Sequence, residues 1–158
     1  MKRVVVIILL TVGALTFRPT PAAADATAFF GFSPTVTTRS TTGFSIGLSF
    51  LIVGFEFEYA HLNEDQTAGA PGLGTGMFNA VVMTPTKLQL YATAGGGIYH
   101  ESLSTEGQTN VGINVGGGVK IPLAGPVRLR VDYRVMTLNG SLVNKSVQRI
   151  YFGANFAF

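Results

Sequence analysis

The stretch Arg149-Ile150-Tyr151-Phe152-Gly153-Ala154-Asn155-Phe156-Ala157-Phe158 decides the fold of this chain. Ile150, Phe152, Ala154, Phe156 and Phe158 share one parity, while Arg149, Tyr151, Gly153, Asn155 and Ala157 share the other. Successive side chains of a strand point to opposite faces, so this is an apolar face backed by a small or polar one. A strand of this kind that closes a chain on an aromatic asks for a partner strand on each side. Seven earlier segments supply the rest of a sheet.

Working outward from that end, Val127 to Leu138 sets Val127, Leu129, Val131, Tyr133 and Val135 against Arg128, Arg130, Asp132, Arg134 and Met136. Thr109 to Leu123 and Lys87 to Tyr99 alternate in the same way, with glycine on the small face of both. Met77 to Thr84 opposes Phe78, Ala80 and Val82 to Met77, Asn79, Val81 and Met83, with both faces rather apolar. Val53 to Ala60 carries Val53, Phe55, Phe57 and Tyr59 against Gly54, Glu56, Glu58 and Ala60. Gly43 to Phe50 places Phe44, Ile46, Leu48 and Phe50 opposite Gly43, Ser45, Gly47 and Ser49. Thr27 to Ser33 is the first strand, with Phe30 and Phe32 opposite Phe29, Gly31 and Ser33. Leu51 and Ile52 stand where a tight turn belongs, although neither is a turn residue.

Residues 1 to 24 read as an address. Lys2 and Arg3 precede an apolar run from Val4 to Leu15, and Ala22-Ala23-Ala24 offers a small-x-small cleavage site, with Ala26 as a second possible position. The run is short of the ~20 residues that a membrane-spanning helix needs. The leader holds Lys2, Arg3 and Arg18, so the 11 basic residues fall to 8 beyond it, matching the 8 acidic ones. The net charge of +3 therefore resides in the leader, and bulk charge gives no reason to expect nucleic-acid binding. The remaining 25–158 is enough for one domain, here a β-barrel, and it has no cysteine for disulfides or thiolate metal sites.

Two regularities specify which barrel. Long connections (Pro34–Thr42, His61–Gly76, His100–Gln108, Asn139–Lys145) alternate with short ones (Leu51–Ile52, Pro85–Thr86, Ala124–Pro126). Transmembrane barrels show this asymmetry, with short periplasmic turns and long extracellular loops. One face of the sheet is Phe, Leu, Ile, Val and Tyr, and the other is Gly, Ser, Asn, Thr and charge. A soluble ligand-binding barrel needs an apolar lumen; here the residues fitted to a lumen are the polar ones. The fold expected is all-β: an eight-stranded antiparallel up-and-down transmembrane β-barrel.

The chain resembles the small eight-stranded bacterial outer-membrane barrels of the opacity-porin and OmpA transmembrane-domain type. The segments that carry the resemblance are Tyr91–Gly97 (YATAGGG), Gly112–Lys120 (GINVGGGVK), Val127–Val135 (VRLRVDYRV) and the terminal Phe158. It implies a bacterial outer-membrane location, contact with membrane lipid and lipopolysaccharide, and an assembly signal at Ile150, Phe152, Phe156 and Phe158 that is read by the barrel-assembly machinery. The chain shows no room after Phe158 for the peptidoglycan-binding domain of longer relatives. The resemblance implies no cofactor, and nothing in the sequence names a partner for the loops.

Chemistry concentrates on the polar face. Counting from the short-turn ends puts Glu56 and Glu58 level with Arg128 and Arg130 across the barrel, so Glu56, Glu58, Arg128, Arg130, Asp132 and Arg134 are expected to form a charge network. An eight-stranded barrel is just wide enough for side chains to fill it. The network reads first as a structural plug beneath four surface-exposed loops, the frame of an envelope-structure or adhesin-like protein. It reads second as a narrow, arginine-lined channel. His100 and Ser102, with Glu101 or Glu106 nearby, have the residue types of a lipid-deacylase site, but Leu103 follows where such barrels have Asn; a rim histidine is the plainer reading. His61, Glu64 and Asp65 combine types that hold hard cations, and a solvated loop is again the plainer reading.

Overall fold

The computed structural model describes residues 23–103, 106–140 and 145–158. Eight strands follow one another: β1 (Ala23–Ser33), β2 (Arg39–Phe50), β3 (Val53–Leu62), β4 (Gly72–Met83), β5 (Gln89–Leu103), β6 (Glu106–Ala124), β7 (Val127–Leu138) and β8 (Ser146–Ala157). Each pairs antiparallel with its neighbour in sequence, and β1 pairs antiparallel with β8, closing the barrel. Closure satisfies the ladder on both sides of every strand and removes the edges that an open sheet exposes. The start of β1 and the C-terminal residue lie at one end of the barrel, where Ala24 and Phe158 exchange two backbone hydrogen bonds of 2.8 Å. The leader assigned to residues 1 to 24 lies outside the described residues except for Ala23 and Ala24, which pair in β1 with Ser49 and Leu48.

The face assignments of all eight strands hold. Phe30 and Phe32 point out while Phe29 is buried, and on β4 Phe78 and Val82 point out while Met77, Asn79, Val81 and Met83 are buried. Strand lengths differ from the alternation pattern at the loop end. The expected His100–Gln108 loop is instead a ladder, paired as far as Leu103 with Glu106. The long insert at 61–76 shrinks from both sides, because β3 runs on to Leu62 and β4 begins at Gly72. Alternation marks a strand only where its two faces meet different surroundings.

At the opposite end, Leu51 takes a left-handed φ of 56° in a two-residue hairpin, a position where glycine is the favoured residue. The next turn is held by its own hydroxyls: Leu90 N–H donates to Thr84 Oγ1 at 3.0 Å, beside a 3.0 Å bond between the Thr84 and Thr86 hydroxyls. Between β6 and β7 the register slips at Pro122 and Ala124, where proline has no N–H to offer the ladder.

Candidate functional site: a filled lumen inside an apolar wall

The outer wall is apolar on every strand. Phe30, Phe78, Ile98 and Leu123 are each 60 to 67 % exposed, and Phe44, Ile46, Leu48, Phe55, Phe57, Val111, Ile113 and Val115 are exposed beside them. Proteins that live in water rarely show apolar patches beyond a few hundred Å². A wall built this way faces lipid.

Inside, the lumen divides into two chemistries along its axis. Nearest the chain ends, Lys120 forms an ion pair with Asp25. Arg128, half-buried on the same level, donates from Nη1 to Gln89 Oε1 at 2.5 Å.

Above them lie three carboxylates and three guanidiniums. Arg130 is fully buried. It grips Glu56 with both terminal nitrogens, Nη2 lying 3.1 Å from Oε1, and places Nη2 3.1 Å from Asp132 Oδ2. Its Nε donates to the Tyr91 hydroxyl at 2.7 Å, and that hydroxyl donates onward to Asp132. Arg134 donates from Nη2 to Glu56 Oε1 at 2.8 Å and from Nε to Asp132 Oδ1 at 3.0 Å. Its Nη1 is an ion-pair partner of Glu58 Oε2 at 3.0 Å, without the alignment of a hydrogen bond. Arg149 pairs with the other oxygen of Glu58. The Tyr151 hydroxyl donates to Glu58 Oε2 at 3.3 Å, and its ring stacks on Phe29 at a centroid distance of 4.1 Å. Every charge in this layer meets an opposite one, the condition on which buried ions are tolerated.

Inward glycines make the space. A Cβ on Gly118 would stand 2.1 Å from the carbonyl oxygen of Val131 and 2.6 Å from the Tyr91 hydroxyl, so the Tyr91 ring needs the missing side chain. Gly43 yields in the same way to the Phe29 ring, 2.5 Å from where its Cβ would be.

Toward the loop end the chemistry changes. Asn114 donates to Asn79 at 2.7 Å, and Leu62, Leu73, Met77, Tyr99, Met136, Leu138 and Val147 then pack into one buried cluster. The lumen is therefore not the continuously polar face expected from alternation, since its outer part is an apolar cap. Tyr99 ties that cap to the mouth by donating to the Asn139 carbonyl at 2.8 Å. Arg39 reaches over the cap and donates from Nη1 to the carbonyls of Pro71 and Asn63, the latter at 3.4 Å. Cavities lined by Asp25, Lys120 and Arg130, by Thr41, Leu62 and Met136, and by Arg39, Glu101 and Leu138 measure about 10, 0 and 10 Å³. A water molecule needs roughly 10 to 15 Å³, so none of the three has room for more than about one.

Five of the six residues expected to meet do so: Glu56, Glu58, Arg130, Asp132 and Arg134. Arg128 stands apart. The level count ignored the tilt that closure forces on the strands, which brings Glu56 opposite Arg130 and Arg134, and Glu58 opposite Arg134 and Arg149. Arg149, Tyr91, Tyr151 and the Asp25–Lys120 pair were absent from the expected network, although their parity on their strands already turned them inward. Phe152, Phe156 and Phe158 project from the wall on β8 or just beyond it, and Ile150 lies half-buried on the same face.

Two other candidate sites do not assemble. His100 faces outward with its Nδ1 2.8 Å from Thr109 Oγ1, so a hydroxyl takes the place that a catalytic acid would need. Ser102 is half-buried on the same face, while Glu101 points to the other and is buried; the side chain of Glu106, the other acid expected here, lies outside those described. Asp65 Oδ1 accepts from the Ala68 amide at 3.1 Å within its own loop. Among the described residues no group of three or more His, Asp or Glu side chains gathers as a metal site.

No protein-family model matches the chain, and no curated protein matches it in sequence. Solved structures match its shape. The N-terminal β-barrel domain of Pseudomonas aeruginosa OprF superposes with a TM-score of 0.68 at 17% identity, covering 87% of this chain and 100% of that one. Neisserial surface protein A gives 0.64 at 17% identity, over 89% and 98%. Ail, the attachment invasion locus protein of Yersinia pestis, in complex with the heparin analogue sucrose octasulfate, gives 0.55 at 14% identity, over 88% and 100%. The chain thus has the fold of the small eight-stranded outer-membrane β-barrels. At these identities the likeness speaks for architecture alone.

Proposed function

We propose that the chain is a bacterial outer-membrane protein whose barrel is a sealed frame, and that its work is done at the loop end as an envelope-structure or surface-interaction protein. The observation that carries this reading is the lumen, closed once by paired charges and again by an apolar cap. The apolar wall supports the membrane location. The long β5–β6 hairpin and the connections at 34–38 and 63–71 stand at the loop end, where a partner would meet the chain, and the apolar face of the last strand at Ile150, Phe152, Phe156 and Phe158 is the part offered to the assembly machinery. Lipopolysaccharide is the natural neighbour of the wall's outer rim. The reading assigns the chain no chemical reaction, and residues 1 to 24 are taken as an export leader removed before assembly.

Single-channel recording on residues 25–158, refolded into a planar bilayer, tests it. A folded and electrically silent barrel is the expected result. Discrete conductance steps that shift when Arg130 is replaced with alanine would replace the sealed frame with a narrow, arginine-lined channel.

A further inference from the structure

Three turns close the end of the barrel that carries the start of β1 and the C-terminal residue, and they are not alike. The turn at 84–88 is Thr-Pro-Thr-Lys-Leu, bound by its own hydroxyls, with Lys87 exposed. The turn between β6 and β7 is Gly125-Pro126, with glycine taking the left-handed φ of 54°. The turn between β2 and β3 is Leu51-Ile52. There a leucine holds a φ of 56°, and Phe50, Leu51, Ile52 and Val53 are 53, 53, 43 and 45 % exposed. Four consecutive apolar residues on a rim turn, one of them in a backbone region that disfavours a branched side chain, are out of place against water.

The surroundings of this turn say what covers it. Ile46, Leu48, Phe55, Phe57 and Phe78 belong to the lipid-facing wall, and with Phe158 they line a concavity of about 560 Å³ beside the same rim, bounded also by Ala24, whose removal with the proposed leader opens it further. The apolar surface thus runs from the wall, past this hollow, and onto the turn without a charged side chain between. Height agrees with this. The Met83 amide donates to the Ile52 carbonyl at 2.8 Å, setting Ile52 level with the last residue of β4, and the polar turn at 84–88 continues beyond that level. The apolar turn sits closer to the membrane's middle than its neighbour does.

We infer that Leu51 and Ile52 are a lipid-immersed foot: they lie among the acyl chains of the periplasmic leaflet, and the hollow beside them is filled by a phospholipid acyl chain, while Lys87 on the adjoining turn marks the headgroup layer. The inference rests on the reading of the outer wall as lipid-facing. A left-handed leucine is retained here because glycine, which fits the turn better, has no side chain to bury in lipid. The barrel is then held at unequal depths around its lower rim, deepest into hydrocarbon at β2–β3.

The chain has no cysteine, so single-cysteine labels report one place each. Leu51→Cys, Ile52→Cys, Thr86→Cys and, on the wall, Phe57→Cys are labelled with bimane in otherwise unaltered mature chain. Each is refolded into phosphatidylcholine vesicles with or without brominated acyl chains, folding being checked by heat-modifiable migration. Labels at 51 and 52 are expected to be quenched by brominated chains as strongly as the label at 57, and to resist aqueous iodide several-fold better than the label at 86. Iodide quenching at 51 and 52 equal to that at 86 overturns the foot while leaving the wall intact. Shielding of 51 and 52 from both quenchers also overturns it, in favour of a protein contact. Failure of bromine to quench position 57 removes the lipid-facing wall itself, and with it the proposed function.

Discussion

The two parts of the lumen are filled by opposite means. In the charged layer, Glu56, Glu58 and Asp132 meet Arg130, Arg134 and Arg149 under a strict requirement of partnership, because one missing member strands its neighbours without water. In the apolar cap, Leu62, Met77, Met136 and Leu138 need only fill volume, and a neighbour can relax into a small vacancy. The charged part fixes which strand stands opposite which, since a shift by one residue turns every charge outward into lipid. The apolar part fills the space beneath the loops. Specificity of register and tightness of closure are divided between them.

The comparison breaks most readily at Arg134, which touches Glu56, Glu58 and Asp132. Arg134→Ala is expected to cost ~3 to 5 kcal/mol, since it leaves carboxylates buried without their partner. Urea unfolding of vesicle-refolded protein, followed by heat-modifiable migration, measures it. A stability equal to that of the parent would mean that water enters the layer and that the charges do not seal it. Leu138→Ala, in the cap, should cost ~2 to 4 kcal/mol through the cavity it opens. It should leave the register unchanged, which cross-strand cysteine pairs between β1 and β8 can check. If this substitution perturbs pairing at the chain ends, the division of labour between the two parts is wrong.

A third substitution sharpens the comparison by making one part resemble the other. Glu58 and Arg149 form a pair beneath the cap, and replacing both with methionine removes the partnership requirement together with the charges. Replacing a buried pair with apolar side chains of similar size is often neutral, whereas Glu58→Met alone strands Arg149, and Arg149→Met alone leaves Glu58 with only Arg134 and Tyr151. Glu58→Met alone should therefore destabilise more than the double substitution, with a coupling between the two sites of roughly 1 to 3 kcal/mol. Additive losses would show Arg149 to be solvated from the mouth.

How much of this was legible in the sequence depends on whether the two faces of a strand see different surroundings. Through the lipid-spanning stretch they do, and parity alone oriented Phe44, Ile46, Leu48 and Phe50 outward and Glu56 and Glu58 inward. In the stretch from His100 to Gln108 the buried inward position is itself an acid, Glu101, so the composition shows no period and reads as loop although residues 100–103 pair with residues 106–109. The charged layer was legible in kind because acids and bases of β3 and β7 share the inner parity. Its pairing was not, because height across a barrel depends on strand tilt, which no single strand encodes. The cap was hidden for a further reason. Leu62 and Leu73 sit inside what composition marks as a polar insert, and only the continued ladder turns them inward.

Arg128 gives the smallest effect and the most discriminating one. It lies on the same strand and face as Arg130, and sequence alone makes the two equivalent. The barrel separates them. Arg130 is fully buried against Glu56 and Asp132, whereas Arg128 is half-buried at the rim with the neutral Gln89 as its partner. Truncating Arg128 to alanine leaves no carboxylate orphaned, and the rim gives water access to Gln89, so the loss should stay below ~1 kcal/mol. Arg130→Ala, two residues along the same face, should cost several times more by the same urea assay. Equal losses would place Arg128 inside the sealed layer and move the boundary of the charged part down to the rim. A near-silent Arg128 beside a costly Arg130 would fix the lower limit of the seal between these two side chains, at the level where Lys120 and Asp25 close it.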